Sequence, residues 1–416
     1  MSERSAARAP GPIEARERLE VIDMIRGFAL FGVLLVNMYN FGAYSPIWTG
    51  TGDRVARSLM HFFFETKAWR LFALLFGLGF ALQLLRAETR ATGFAPVYLR
   101  RLGVLFLIGA AHALLFPGDV LMIYAELGLL LLALRNAAPR LLLVAAIALL
   151  AVYPLGRAAN TVVSRDAAAA VQTVDLERAR AINEELRRTH PHAVGSVSDV
   201  MRANARVIPP NPFGRPLGLE AGLGFFAMFL LGLHLGKRGI FSDVDAHARL
   251  FRRGAVLGLT VGAVGMLTEQ VASSVVPSAA GSGARVAWAL LGDLAFTYGS
   301  TALALGYAAG IVVLAQSSRF RPLVEPLGPV GRVALTAYLT QTLVFTTVFY
   351  GYGLGQAFRL GPAAVTAMAL AIFAAQVIAC SWWVRRFRFG PVEWLWRALT
   401  YLRIPPMRGR ADGAQH

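Results

Sequence analysis

A single cysteine, Cys380, occurs in 416 residues, which excludes an internal disulfide and leaves any thiolate metal centre without a second ligand. Charge is scarce too: 16% of residues are Asp, Glu, Lys or Arg, against 56% hydrophobic, and the mean hydropathy is +0.54. A water-soluble chain of this length could not cover its surface with so few polar groups, so a set of soluble domains is excluded. The shortage is greatest in acid, with 24 carboxylates against 41 Lys and Arg and a net charge of +17. That excess does not mark a nucleic-acid binder, because the arginines are spread over the ends of apolar runs and form no single stripe. No internal repeat is visible, and "GLHLGKRG" at 232–239 lacks the Walker spacing and closes an apolar run. His190 and His192 in "THPHAV" have no carboxylate beside them and are expected in solvent, so no metal is expected.

What the chain does have is apolar length. Runs at 21–43, 68–86, 98–115, 118–134, 138–156, 217–236, 250–275, 286–315, 332–350 and 362–384 each approach the ~20 residues that cross a bilayer. The expected fold is an all-α polytopic integral membrane bundle of about ten transmembrane helices. Arginine placement orients it: Arg86, Arg90, Arg100 and Arg101, then Lys237 to Arg253, then Arg319 and Arg321, then Arg385 to Arg388 fall on alternate connections, which puts both termini in the cytoplasm. The first apolar run is too long for a cleaved signal and has no small-residue cleavage site after it, so it is expected to stay as a helix. The domain reading is a cytoplasmic tail at 1–20, an N-terminal membrane half at 21–157 with about five spans, an extracytoplasmic loop at 158–216, a C-terminal membrane half at 217–402 with about five spans and an interfacial helix, and a tail at 403–416. The loop carries one predicted surface helix, ended by Pro209, Pro210, Pro212 and Pro216.

Polar residues inside such runs are costly and point to function. Asp23 and Arg26 are three apart on one helical face, where they either pair at the headgroup level or offer Arg26 to an anion. Asn37 lies about ten residues deeper and must face protein or a polar cavity. "HFFFETKAWR" places His61, Glu65, Lys67 and Arg70 before the second span, where a short interfacial or re-entrant helix is predicted and Glu65 is offered a pair with Lys67 or Arg70. "GAAHALLFPGDVLMIYAELG" reads as a helix, a tight turn at Pro117–Gly118 and a second helix capped by Asp119, with Tyr124 and Glu126 following. That hairpin brings His112 within reach of Asp119, giving an imidazole held by a carboxylate; the plainer alternative is an imidazole bonded to the turn backbone. Arg332 opens "GRVALTAYLTQTL", in which Tyr338 and Gln341 follow, at the inner mouth. "GPVEWLWRALTY" is expected as an amphipathic anchor in which Glu393 pairs with Arg397.

Together "RLEVIDMIRGFALFGVLLVN", "LFALLFGLGFALQLLRA", "YLRRLGVLFLIGAAHALLFPGDVLMIYAELGLLLL", "GRVALTAYLTQTL", "GYGLG" and "GPVEWLWRALTY" resemble, in collinear order over about 18–402, the YeiB-like family of bacterial inner-membrane proteins, whose C-terminal half is a domain of unknown function. The opening "D..RG" and the "GR.ALT.Y" segment are also similar to the wider transmembrane acyltransferase group of heparan glucosaminide acetyltransferases and acyltransferase-3 proteins. That likeness implies transfer of an acyl group from cytoplasmic acyl-CoA, acetyl-CoA among them, to an envelope glycan or lipid acceptor across the membrane, by a homodimer and with a membrane-domain histidine. The glucosaminide pattern falls on Asp23, Arg26, Gly27, Val36 and Asn37, but its following loop histidine has no counterpart in "MYNFGAYSPIWTG", so His112 or His61 takes that part. The assignment implied is His112 with Asp119 as base, Arg26, Arg100, Arg101 and Arg332 for the donor's phosphates, and Asn37, His61, Glu65, Tyr124, Glu126, Tyr338 and Gln341 around the substrate. The competing classes are a secondary transporter or flippase of an envelope metabolite and a non-catalytic membrane protein. Gly77, Gly79, Gly258 and Gly262 permit close helix packing either within the chain or between copies.

Overall fold

An apolar segment without water has to satisfy its own amides, and a helix does so within one strand of chain. The computed structural model describes residues 15–89, 93–163, 175–207, 218–275 and 282–408, and among these the chain is helical with no strand. The first membrane half contains α1 (Ala15–Tyr39), α2 (Thr51–Phe63), α3 (Lys67–Thr89), α4 (Phe94–Leu115), α5 (Leu121–Ala133) and α6 (Pro139–Val163). Three short helices follow, α7 (Leu176–Thr189), α8 (Pro191–Val194) and α9 (Val197–Val207). The second half contains α10 (Gly218–Lys237), α11 (Ala248–Val275), α12 (Ser282–Gln316), α13 (Arg321–Val324), α14 (Leu327–Arg332), α15 (Ala334–Phe349), α16 (Pro362–Val384) and α17 (Pro391–Tyr401). The proline run from Pro209 to Pro216, and residues 1–14 and 409–416 of the expected tails, lie outside the described residues.

Every apolar run read from the sequence falls on a helix. Among the described residues six stretches are long and apolar enough to cross a bilayer: Glu20–Tyr39, Thr51–Glu88, Phe94–Leu115, Ala248–Ser274, Ala287–Gln316 and Pro362–Val384. Four others, Leu121–Ala133, Pro139–Val152, Gly222–Lys237 and Ala334–Phe349, are apolar but shorter. At 13 residues α5 has a length of about 20 Å, less than the ~30 Å hydrocarbon layer, because the turn at Pro117 and Gly118 takes up its outer end. The molecule wears apolar residues outside: Leu107, Val144, Val264 and Ile378 are 63–72% exposed, the surface of a protein surrounded by lipid.

Within the bundle α1 is the axis, with 78% of its apolar window buried against 22% for α4, α11 and α16, which stand at the periphery. It packs on α3, α12, α14, α15 and α16. The tightest contacts use small residues. At Gly77 on α3 a methyl group would come 2.0 Å from the Phe229 carbonyl oxygen of α10, and Gly258 and Gly262 of α11 are likewise pressed against the backbone of α12. These glycines are therefore used for packing inside the chain.

The connection between the halves holds three short helices where one was expected, and they lie over the end of the bundle opposite the arginine-rich face. Asn183 and Arg187 of α7 donate to the Phe358 carbonyl at 3.0 and 2.8 Å. Asn204 of α9 donates to the Leu114 carbonyl at the end of α4 and meets His192 Nε2 at 2.8 Å. His192 stacks on Tyr350 with centroids 4.6 Å apart. The expectation of two solvated loop histidines is thus corrected for His192, which is wedged between cap and bundle.

Two predictions follow from this packing. Gly77→Ala forces α3 and α10 apart and costs about 1–3 kcal/mol, read as a lower unfolding midpoint in detergent; Gly310→Ala, with nothing within 4 Å, leaves the midpoint unchanged or slightly raised. Burial holds the His192 imidazole below its ordinary 6.5, so the folded cap resists the proton that the unfolded chain accepts. Its stabilising contribution is complete above about pH 6.5 and is lost as pH falls below that value toward the lower folded one. Exchange protection of 176–207, corrected for intrinsic rates, should fall between about pH 7.5 and about pH 5, and less so in His192→Gln; equal protection at both pH values contradicts this.

Candidate functional site

Helix periodicity places the polar residues of α1, α4 and α15 toward one interior space. A cavity of about 310 Å³ opens at the arginine-rich face and is lined by α1, α3, α4, α5, α14, α15 and α17. Arg26, Arg101, Arg332, Arg397 and Glu393 stand at its mouth, where Arg332 and Arg397 are exposed. Its wall then follows α3 from Gln83 through Gly79, Phe76 and Phe72 to Trp69. The 14 steps from Gln83 to Trp69, at about 1.5 Å each, make a shaft roughly 21 Å long. Tyr124 and Tyr338 close the far end, both buried.

Two of the arginines at the mouth are held by local contacts. Arg26 pairs with Asp23 at 2.6 Å, as its spacing predicts, and also donates to the Gly331 carbonyl at 3.1 Å. The second bond is possible because α14 approaches α1 so closely that a methyl at Gly331 would sit 1.8 Å from the Asp23 carbonyl oxygen. The Arg101 guanidinium lies 3.8 Å from the Trp396 ring centroid, and the Trp396 indole donates back to the Arg101 carbonyl at 3.0 Å. Glu393 does not pair with Arg397 as its i,i+4 spacing suggested. Its carboxylate accepts from the amides of Leu335 and Thr336 at 2.6 and 3.1 Å and from the Thr336 hydroxyl at 2.5 Å, capping α15 from a different helix. Free amides at a helix start in an apolar layer have no water to turn to, so they take the carboxylate.

Directly beyond the closed end lies the pair the hairpin predicts. His112 Nδ1 is 2.8 Å from Asp119 Oδ1, and Asp119 Oδ2 accepts the Met122 amide at 2.9 Å, so the carboxylate both caps α5 and orients the imidazole. Side-chain exposure is 3% and 2%. The other ring nitrogen, Nε2, is 2.8 Å from the Thr342 hydroxyl on α15. Tyr338, one turn before Thr342, has its ring 4.9 Å from the imidazole and separates it from the shaft. Around the shaft, Trp69 Nε1 and Tyr98 Oη are buried without a hydrogen-bond partner, and Tyr338 Oη has the Val120 backbone near it but no bond of sound distance and angle. Trp69, Tyr98 and Tyr338 all line the cavity, and buried polar atoms without a partner are groups a ligand can satisfy.

The remaining predicted site residues lie elsewhere. Arg100 is exposed and outside the lining. Glu126 is half-buried on α5 and also outside it, while Asn37 is buried near the far end of α1. Gln341 turns toward α16, donating to Gln376 at 2.7 Å. His61 and Glu65 form a second polar cluster at the opposite end of α3. Glu65 does not pair with Lys67 or Arg70: His61 stands between Glu65 at 2.7 Å and Glu269 of α11 at 3.0 Å. Lys67 donates to the His61 carbonyl at 2.7 Å, and Arg70 to the Thr297 carbonyl and the Ser300 hydroxyl of α12. No cluster of three or more metal-ligating side chains able to hold an ion occurs among the described residues. Sequence reasoning missed Thr342, Trp69, Tyr98 and Glu269; for Thr342 the available signal was its place one turn after Tyr338.

Residues 235–403 match the family described as Protein of unknown function (DUF418). The chain is 32% identical to the uncharacterized protein YxaH of Bacillus subtilis (strain 168), covering 95% of this chain and 97% of that one. It is 30% identical to the uncharacterized protein YeiB of Escherichia coli (strain K12), covering 94% and 98%. No solved structure matches.

Removing one carboxylate should expose how the hairpin is held. Asp119→Ala leaves the Met122 amide and the imidazole without an acceptor and costs about 1–3 kcal/mol, while Asp119→Asn, which keeps an acceptor oxygen, costs less. Unfolding midpoints in detergent check the order; equal midpoints for both variants and wild type would show that the couple contributes nothing to stability.

Proposed function

The chain belongs to the YeiB-like family with YxaH and YeiB, and from its geometry we propose a membrane-bound acyltransferase that takes an acyl group from cytoplasmic acyl-CoA and delivers it to a glycan or lipid acceptor of the cell envelope. The membrane is the bacterial cytoplasmic (inner) membrane, with the arginine-rich face inward.

The observation that carries this reading is the shaft itself: a cationic mouth, an apolar and aromatic wall, and a histidine–carboxylate couple just beyond its closed end. Acyl-CoA has the same order of properties, phosphates first and thioester last. Arg26, Arg101, Arg332 and Arg397 suit the phosphates, since guanidinium forks pair with them bidentately. Trp69 Nε1 and Tyr98 Oη, unpartnered in the wall, suit the amide oxygens of the donor's arm. His112, held in one orientation by Asp119, takes the proton from the hydroxyl that attacks the thioester and returns it to the leaving thiolate. A path for a hydrophilic cargo is less well served, because Phe72, Leu75, Phe76 and Phe80 line the same stretch.

Calorimetry with CoA and acetyl-CoA on the detergent-purified protein tests this. Binding is expected in wild type, retained in His112→Ala and weakened at least about tenfold in Arg332→Ala, the loss of a charge-assisted hydrogen bond of about 1.5–3 kcal/mol. A folded, monodisperse wild type that binds neither ligand sinks the reading.

A further inference from the structure

Threonines on the helices of this protein mostly return their hydroxyl to the carbonyl one turn back. Thr340 bonds Thr336 at 2.8 Å, Thr347 bonds Leu343 at 2.7 Å, Thr301 bonds Thr297 at 2.8 Å and Thr260 bonds Val256 at 2.7 Å. At Thr342 that bond is the longest of the set. The Thr342 oxygen stands 3.4 Å from the Tyr338 carbonyl and 2.8 Å from His112 Nε2. Asp119 accepts the Met122 amide through one oxygen and faces Nδ1 with the other, so with the carboxylate as acceptor Nδ1 carries the hydrogen, Nε2 presents a lone pair, and the Thr342 hydroxyl is the donor; the tautomer is inferred from these partners. The hydroxyl, imidazole and carboxylate stand in series, all three residues 5% exposed or less.

We infer that Thr342 is the nucleophile of this chain, forming an O-acyl-threonine intermediate from an acyl thioester that enters by the shaft, with His112 as its base and Asp119 as the residue that positions the base. The inference rests on the acyl-CoA reading above. Thr342 Oγ bonds to the thioester carbonyl carbon as its proton passes to His112 Nε2. The C–S bond breaks, and the departing thiolate takes that proton to leave as CoA. The acceptor hydroxyl or amine then attacks the threonine ester, giving its own proton to His112, and Thr342 Oγ regains it as the ester C–O bond breaks. Water is kept away by the cap that α7–α9 place over the end of α4. On the other side stands Tyr338, whose ring lies 4.9 Å from the imidazole and between it and the shaft. An ester held there would be protected until an acceptor arrives.

The test uses the full chain in detergent, incubated without acceptor with radiolabelled acetyl-CoA and, in parallel, a long-chain acyl-CoA, then acid-quenched and mapped by peptide mass. CoA binding is measured on the same samples. One acyl group per chain is expected at Thr342, stable to neutral hydroxylamine and released by the alkaline reagent, which separates an oxygen ester from a thioester at Cys380. Thr342→Ser should keep the label at position 342, while Thr342→Val, which fills the same volume, and His112→Ala should lose it while still binding CoA. Label on another residue, label that survives Thr342→Val, or CoA binding with no covalent adduct overturns the threonine and leaves the acyl-CoA reading standing. Absence of CoA binding by folded wild type overturns both.

Discussion

Inside this bundle water is not available to accept a stray proton donor, so polar groups take partners within the protein, and the pairings that reach another helix organise the interior. Arg26 reaches from α1 to the Gly331 carbonyl, Tyr39 to the Pro362 carbonyl and Thr366 hydroxyl, Tyr124 to the Trp69 carbonyl, and Glu393 to the first amides of α15. Each bond joins segments remote in sequence and costs several kcal/mol to leave unmade in lipid. Against that background the buried donors at Trp69 and Tyr98 stand out. Both residues line the shaft, and neither the indole N–H nor the phenol has a hydrogen-bond partner.

The shaft and the histidine layer divide the chemistry by depth. Charge sits where solvent reaches, at Arg332 and Arg397, and aromatic surface occupies the middle. The hydrogen-bonded series from Asp119 through His112 to Thr342 lies past Tyr338. Electrostatic interactions strengthen with that burial, and so does the orienting effect of one carboxylate on one imidazole.

Hydropathy made the apolar helices legible because the signal is local: each of the ten apolar runs falls on a helix, although four of those apolar stretches are shorter than a bilayer span. Local spacing also gave the Asp23–Arg26 pair and, through the Pro117–Gly118 turn, the meeting of His112 with Asp119. Partners brought by tertiary packing were not legible. Thr342 lies 230 residues from His112, and Glu269 lies 208 from His61. An amphipathic pattern says which face of a helix is buried but not which neighbour it meets. Glu393 is instructive: its own helix offered Arg397 one turn away, and the unsatisfied amides of α15 outweighed it. The expectation for Glu65 failed for the same reason, since His61 and Glu269 form a closer set than the cations beside it.

The grip of α17 on the mouth also orders events during synthesis. Trp396 holds Arg101 of α4, and Glu393 holds the start of α15, so the rim is completed by a segment translated some three hundred residues after the arginine it secures. Until α17 emerges, Arg101 has neither its indole nor its neighbouring Arg397, and the half-built shaft faces lipid on that side. The ribosome must therefore deliver nearly the whole chain before the rim of the cavity is complete, so the mouth is among the last parts of the fold to form.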